Sequence, residues 1–216
     1  MTTLVVIAKE PRPGRVKTRL TPTFLPAEAA ALAAAALADT LAAVAAASAR
    51  RRVLLLDGSP GAWVPPGFDV VRQVHGPLDV RIAGGLAAIS GPLLMVGMDT
   101  PQLTPAHLEV PWAAHDAWFG AAADGGFWAL GLARPDPALV LGVPMSRPGT
   151  GAVQLARLQL AGLRVGMLPV LRDVDTAADA AEVAAEAPAT RFAALHALLA
   201  ARPADDGCRP DPRLAR

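Results

Sequence analysis

The chain has 216 residues, enough for one α/β domain with a sizeable core. Hydrophobic residues make up 53% and charged residues 18%, which excludes a disordered or polyelectrolyte chain. Lys+Arg at 20 against Asp+Glu at 19 leaves a formal net charge of +1, so no global field draws the protein to nucleic acid or an anionic membrane; the single cysteine, Cys208, excludes a disulfide framework or a Cys-rich zinc site and fits a reducing compartment.

Met1 to Glu10 has no basic leader region, and its apolar run is too short for a signal peptide. Within it, Leu4–Ala8 reads as a buried strand. Lys9–Thr23 is a loop rich in Pro, Gly and basic residues. Pro26 can start a helix, and Ala27–Ser48 has high helix propensity throughout. Asp39 stands in the middle of that Ala-rich stretch. An Asp at the centre of a membrane helix costs about 2.5–3.5 kcal/mol, with little in Ala to offset it, so the chain reads as a soluble cytoplasmic protein.

Arg52–Asp57 and Phe68–Val74 are two further strands, Asp79–Ile89 is a helix weakened by Gly84-Gly85, and Pro92–Gly97 is the most apolar strand. Thr104-Pro105-Ala106-His107 opens a helix, with Thr as cap and Pro at the first position. Trp118–Ala123 and Phe127–Leu132 are short strands around Asp124-Gly125-Gly126. Gly149–Leu163, Thr176–Ala187 and Arg191–Ala201 are helices, with a strand over Arg164–Leu171. Strands alternating with helices argue for a largely parallel sheet covered on both faces, as one domain over residues 1–202. Residues 203–216 are polar and Pro-rich and are expected to form a disordered tail.

Ligands of such sheets bind outside the carboxyl ends of the strands, so the chemistry is sought directly after each strand. After the first come Lys9, Arg12, Arg15, Lys17 and Arg19, five cations within eleven residues, with Glu10 the one acid. Lys9 and Lys17 are the only two lysines; the other 18 basic residues are Arg. A compact ammonium meets a phosphate oxygen at a point, and Gly14 allows a tight turn whose amides can cradle a di- or triphosphate together with Arg15, Thr18 and Arg19. The loop is neither a P-loop nor the dinucleotide Gly-x-Gly-x-x-Gly pattern. A solubilising surface loop is the bland alternative.

After the most apolar strand, Asp99 is placed either to hold Mg²⁺ beside phosphates or to cap the turn before Thr104, which already supplies a cap. Asp124-Gly125-Gly126 is both a hairpin signal and a stretch that lets a ligand approach the backbone. Thr176 and Asp179 form an acidic capping box, which leaves Asp175 available as a second metal ligand. His75, His107, His115 and His196 lack metal-ligand spacing and read as structural or surface residues.

Four motifs occur in order: Lys9-x-Pro11-x-x-Gly14-x-x-Lys17-Thr18-Arg19-Leu20, Gly97-x-Asp99-Thr100-Pro101-x-Leu103, Asp124-Gly125-Gly126-Phe127 and Asp175-Thr176-x-x-Asp179. Together, over about Leu4 to Leu199, they resemble a bacterial glycosyltransferase-like family, domain of unknown function 2064, whose first loop is similar to that of 2-phospho-lactate guanylyltransferases. The resemblance implies a three-layer α/β/α sandwich with a mostly parallel mixed sheet, the glycosyltransferase-A or nucleotide-diphospho-sugar transferase fold. It implies a nucleotide at the first loop and a divalent cation, Mg²⁺ or Mn²⁺, at Asp99, with Asp175 completing the metal site. Gln73–Arg81 resembles the family stretch that ends in a basic residue beside the substrate, which falls on Arg81. Asp79 stands where a Gly is usual there, and Phe127 where a Tyr is common; the chain has no Tyr.

The function so implied is glycosyl transfer from a nucleotide-activated sugar to a small-molecule acceptor. Lys17, on the phosphates, and Asp124, which orients or deprotonates the acceptor, are the candidate catalytic residues. The lysine-bearing loop favours, on charge, a nucleotidyltransferase of guanylyltransferase type acting on a triphosphate. A third possibility is a non-catalytic nucleotide-sugar-binding module, against which the retained acidic residues argue.

Overall fold

The computed structural model describes residues 1–21 and 23–202; Cys208 and the expected tail over 203–216 lie outside the described residues. Seven strands form one sheet: β1 (Thr3–Lys9), β2 (Arg51–Asp57), β3 (Asp69–Arg72), β4 (Leu93–Val96), β5 (Ala117–Ala121), β6 (Phe127–Leu132) and β7 (Val165–Met167), in the order β3-β2-β1-β4-β6-β5-β7. β1 pairs in parallel with β2 and β4, β2 with β3, and β5 with β7. Only β6 runs antiparallel, to β4 and to β5, because Asp124-Gly125-Gly126 turns the chain straight back.

Five α-helices cover the sheet: α1 (Pro26–Ala46), α2 (Leu78–Ala87), α3 (Thr150–Leu160), α4 (Ala177–Glu186) and α5 (Arg191–Ala200). Strand alternation divides the core into two. Leu4, Val6, Leu54, Leu56, Leu94 and Val96 face α1, through Ala33, Leu37, Leu41 and Val44. Val5, Val53, Leu55, Leu93 and Met95 face the other way, against Ile82 and Leu86 of α2 and Leu158 of α3. The fold is a three-layer α/β/α sandwich around a mixed, mostly parallel sheet.

α1 also buries its outer side, where Leu32 and Ala36 meet Val183 of α4 and Phe192 of α5. Covered on both sides, it is apolar nearly all round, which gives it the length and composition of a membrane-crossing helix while most of its residues are internal. Asp39 lies in the middle of this helix. It is buried and caps α5: its carboxylate accepts the backbone N–H groups of Arg191 (3.2 Å) and Phe192 (2.9 Å) and pairs with the Arg191 guanidinium at 3.3 Å.

Two expected elements are shorter than the sequence suggests. Beyond Thr104 there is only the single turn Pro105–Leu108 and no α-helix, because Pro111 disfavours helical geometry just downstream. The expected strand over 164–171 is ordered as β7 and then as one isolated bridge between Ala122 and Leu171, interrupted by Pro169, which has no N–H to donate.

Candidate active site

A cleft of about 740 Å³ opens over the carboxyl ends of β1 and β4 and the amino end of the antiparallel β6. Its first wall is the loop after β1. That loop is pinned by its one acid: Glu10 accepts the Ser59 N–H at 2.9 Å and pairs with Arg12 at 2.8 Å, so Arg12 is spent on the loop itself. The Arg12 and Ser59 contacts hold the Glu10 carboxyl below its ordinary range. Gly14, at φ 72°, turns the chain so that the Arg15 N–H reaches the Arg12 carbonyl at 3.1 Å; it does not itself line the cleft. Lys9, at the end of β1, lines the cleft with its backbone N–H on Met98 Sδ at 3.2 Å. Arg15, Thr18 and Arg19 line it as well.

Lys17 has a left-handed backbone, φ 49° and ψ 41°, a strained state for a residue with a Cβ. The conformation carries its side chain inward. Lys17 Nζ donates to Asp99 Oδ2 at 2.6 Å and to Asp175 Oδ1 at 2.9 Å, and only 10% of the Lys17 side chain is exposed. Burial opposes the ammonium charge, but the two carboxylates outweigh it and raise the Lys17 pKa. Arg19 Nη1 approaches the other oxygen of Asp175 at 3.5 Å.

The segment that carries Asp175 is tied to the turn after β4 by the main chain: the Val174 N–H donates to the Asp99 carbonyl at 3.0 Å. Asp99 and Asp175 are therefore brought together, and Asp99 does not cap the turn at Pro105, where His107 Nδ1 accepts the Thr104 N–H. Thr176 and Asp179 form the expected capping box of α4, and Asp179 also pairs with Arg172 at 3.0 Å.

Asp124 accepts the Gly126 N–H at 2.8 Å, which realises the hairpin-turn reading, and it also lines the cleft. The turn is clamped from behind by the start of α3, where the Gly151 N–H donates to the Gly125 carbonyl at 2.8 Å. Arg81 lines the opposite wall, held through Nη1 by Gln73 Oε1 at 3.0 Å and Asp57 Oδ2 at 3.3 Å. Asp79 does not line the cleft: it accepts the Gly142 N–H at 2.9 Å and fastens the start of α2 to the chain ahead of α3.

Sequence reasoning missed four contributors. Asp173 is half-buried beside Asp99, Asp124 and Asp175, and its Oδ1 is shielded from water without a hydrogen-bond partner. Burial first, then Asp99, pushes its pKa up to about 8 against the pull of Lys17. The Asp-x-Asp spacing of Asp173 and Asp175 puts both on one side of an extended segment and was the available signal. Ser146 and Arg147 close the cleft near α3, and Ser146, at φ 56°, shares the left-handed backbone of Lys17. Gln73 was quoted only as the start of the Arg81 segment.

A bacterial family described as "uncharacterized protein conserved in bacteria (DUF2064)" matches residues 28–147, more than half of the chain. The chain belongs to this family. The match contains Arg81, Asp99 and Asp124 and leaves Lys17 and Asp175 on either side. No curated protein matches the sequence. Among solved structures, a "putative nucleotide-diphospho-sugar transferase" from Desulfovibrio desulfuricans G20 superposes with a TM-score of 0.80 at 23% identity, covering 93% of this chain and 95% of that one. CMP:2-keto-3-deoxy-manno-octonic acid synthetase complexed with CTP superposes at 0.53 with 12% identity, covering 88% and 99%. Rv0371c of Mycobacterium tuberculosis H37Rv, in complex with manganese, superposes at 0.50 with 22% identity, covering 84% and 96%. The DUF2064 chain thus has the nucleotide-diphospho-sugar transferase, or glycosyltransferase-A, fold.

Proposed function

We propose that this DUF2064 protein is a metal-dependent transferase that takes a glycosyl group from a nucleotide-activated sugar to a small-molecule acceptor. The observation that carries the reading is the Lys17 ammonium buried between Asp99 and Asp175 at the carboxyl end of the sheet, in a cleft that Lys9, Arg15 and Arg19 also line. Those cations suit the two phosphates of a nucleoside diphosphate, in a place where an α/β sheet gathers its ligands.

The donor set fits a hard divalent cation. Among the described residues no three His, Cys, Asp or Glu side chains form a metal-binding group, but Mg²⁺ and Mn²⁺ sites of this kind use one or two carboxylates and complete their shell with water and phosphate. The buried Asp173 oxygen beside these carboxylates has no hydrogen-bond partner of its own. Asp99 and Asp175 would hold the ion, which when bound supplies positive charge to the phosphate oxygens of the leaving group.

The chain's own residues account for the rest of the transfer. Lys9, Lys17 and Arg19 neutralise the departing diphosphate as the sugar–oxygen bond breaks. Asp124, whose Oδ1 is held by its turn, presents its other oxygen to take the acceptor hydroxyl proton as the new bond forms. Arg147 and Gly126 border the acceptor side.

A second reading, nucleotidyl transfer from a nucleoside triphosphate, is favoured by the number of cations in the cleft, since a triphosphate needs more positive charge than a diphosphate. One experiment separates the two. The protein is incubated with Mg²⁺ and panels of nucleotide sugars with small-molecule alcohol acceptors, or of nucleoside triphosphates with sugar phosphates. Nucleoside diphosphate release from a nucleotide sugar, lost in Asp99→Asn, is the expected result. Pyrophosphate release instead supports the second reading, and neither product from any panel member overturns both.

A further inference from the structure

The wall of the cleft over β2 carries a guanidinium that the protein holds in place without satisfying it. Gln73, directly after β3, is buried, and its Nε2 donates to the carbonyls of Ala8 (2.8 Å) and Leu55 (2.9 Å). With both of those partners acceptors, the amide can sit only one way round, and its Oε1 must face Arg81, whose Nη1 donates to it at 3.0 Å. Asp57 takes the same Nη1 at 3.3 Å. Arg81 Nε is buried without a partner, and among the described residues Nη2 makes no hydrogen bond. The side chain is 15% exposed, so its remaining donors are not simply dissolved in water. Gln73 fixes the fork, Asp57 pairs with its charge from one side, and the other edge is left without a partner.

Beside Arg81 the cleft is apolar, lined by Ile7, Leu78, Ile82, Met95 and Phe127. Asp57, the ion-pair partner of Arg81, ends β2, which lies two places from β4 in the sheet; at about 4.8 Å per strand the ends of β2 and β4 are on the order of 10 Å apart. That leaves room for a sugar between phosphates held at Lys17 and a flat ring lying on the apolar wall.

We infer that Arg81, positioned by Gln73, reads the edge of a nucleobase that presents two adjacent hydrogen-bond acceptors. This rests on the nucleotide reading of the cleft. Guanine offers such an edge at N7 and O6, and cytosine at N3 and O2. Adenine places its amino group next to the acceptor on either edge, so a donor would face a donor. Arg81 is the specificity residue and Gln73 its positioning residue.

The test is calorimetric titration of wild type, Arg81→Lys and Gln73→Leu with GTP, CTP and ATP in the presence of Mg²⁺. Wild type should bind GTP or CTP about five- to a hundredfold more tightly than ATP. Both variants should lose that ratio while their ATP affinity stays where it was, since Lys keeps the charge but not the fork. A purely structural role for Gln73 would lower the melting temperature and leave the ratio alone. If Gln73→Leu does not fold, Arg81→Lys decides alone. The inference is overturned by a wild type that shows no base preference or favours ATP, by an Arg81→Lys variant that keeps the preference, or by equal losses for all three nucleotides, which would make Arg81 an anion contact. Binding without base preference removes this inference and leaves the proposed function standing; no nucleotide binding at all removes both.

Discussion

At the scale of residues, the site turns on where one ammonium goes. The bias of the chain against lysine marks Lys17 in the sequence, and strand-end positions mark Asp99 and Asp175. That the first sits on the other two is not legible there, because the partners are 82 and 158 residues away and meet only through the fold. Asp173 escaped notice for the same reason: a carboxylate with no partner is recognised by its burial. The geometry has a consequence of opposite sign for two ligands. Lys17 Nζ stands between the carboxylate oxygens that a shared ion at about 2.1 Å would need. Lys17→Met should therefore raise the affinity of the free protein for Mn²⁺, read by paramagnetic resonance or calorimetry. It should also weaken nucleotide binding by one to two orders of magnitude, about 1.5–3 kcal/mol for one charge-assisted contact. Unchanged Mn²⁺ affinity would show that the ammonium and the metal do not share a position, and unchanged nucleotide affinity that Lys17 does not serve phosphates.

At the scale of elements, caps and alternation were the readable signals. Pro26, Thr176 and the apolar runs place α1, α4 and most strands within a few residues. Pro111 and Pro169 cut short what propensity alone would extend, and Asp39 was read as an argument against a membrane when its work is to cap a helix more than a hundred residues away. The contact between α3 and the Asp124 turn could not be read at all, yet it bears on the role proposed for Asp124. A Cβ on Gly151 would lie 2.3 Å from the Gly126 carbonyl oxygen, a backbone atom that can yield only by moving the turn. Gly151→Ala should cost about 1–3 kcal/mol of stability, measured by urea unfolding. It should also lower kcat more than it raises KM, since Asp124 would be displaced from the acceptor. A variant that loses stability but keeps kcat would mean that Asp124 acts from elsewhere or not at all.

At the scale of the whole molecule, the alternation of strands and helices indicates the parallel sheet but not its order, which depends on crossovers and on a hairpin that inserts β6 antiparallel between β4 and β5. The order explains why residues from both ends of the chain share one cleft. Lys9 and Lys17 follow β1, Arg81 lies in α2, Asp99 follows β4, Asp124 follows β5, and Asp173 and Asp175 precede α4. A ligand touching all of these links segments that would otherwise separate on unfolding. If residues 1–202 form one cooperative unit, a nucleotide with Mg²⁺ at 100 times its dissociation constant should stabilise the entire protein by about 2.7 kcal/mol. At about 2–4 °C per kcal/mol for a chain of this size, the single melting transition should rise by roughly 5–11 °C. With a net charge of only +1, the gain comes from local charge at the cleft, so Asp99→Asn and Lys17→Met should each remove most of it while melting as one transition themselves. Two transitions of which only one moves would divide the chain into separate units, and no shift at nucleotide concentrations up to the millimolar range would remove the nucleotide from the cleft.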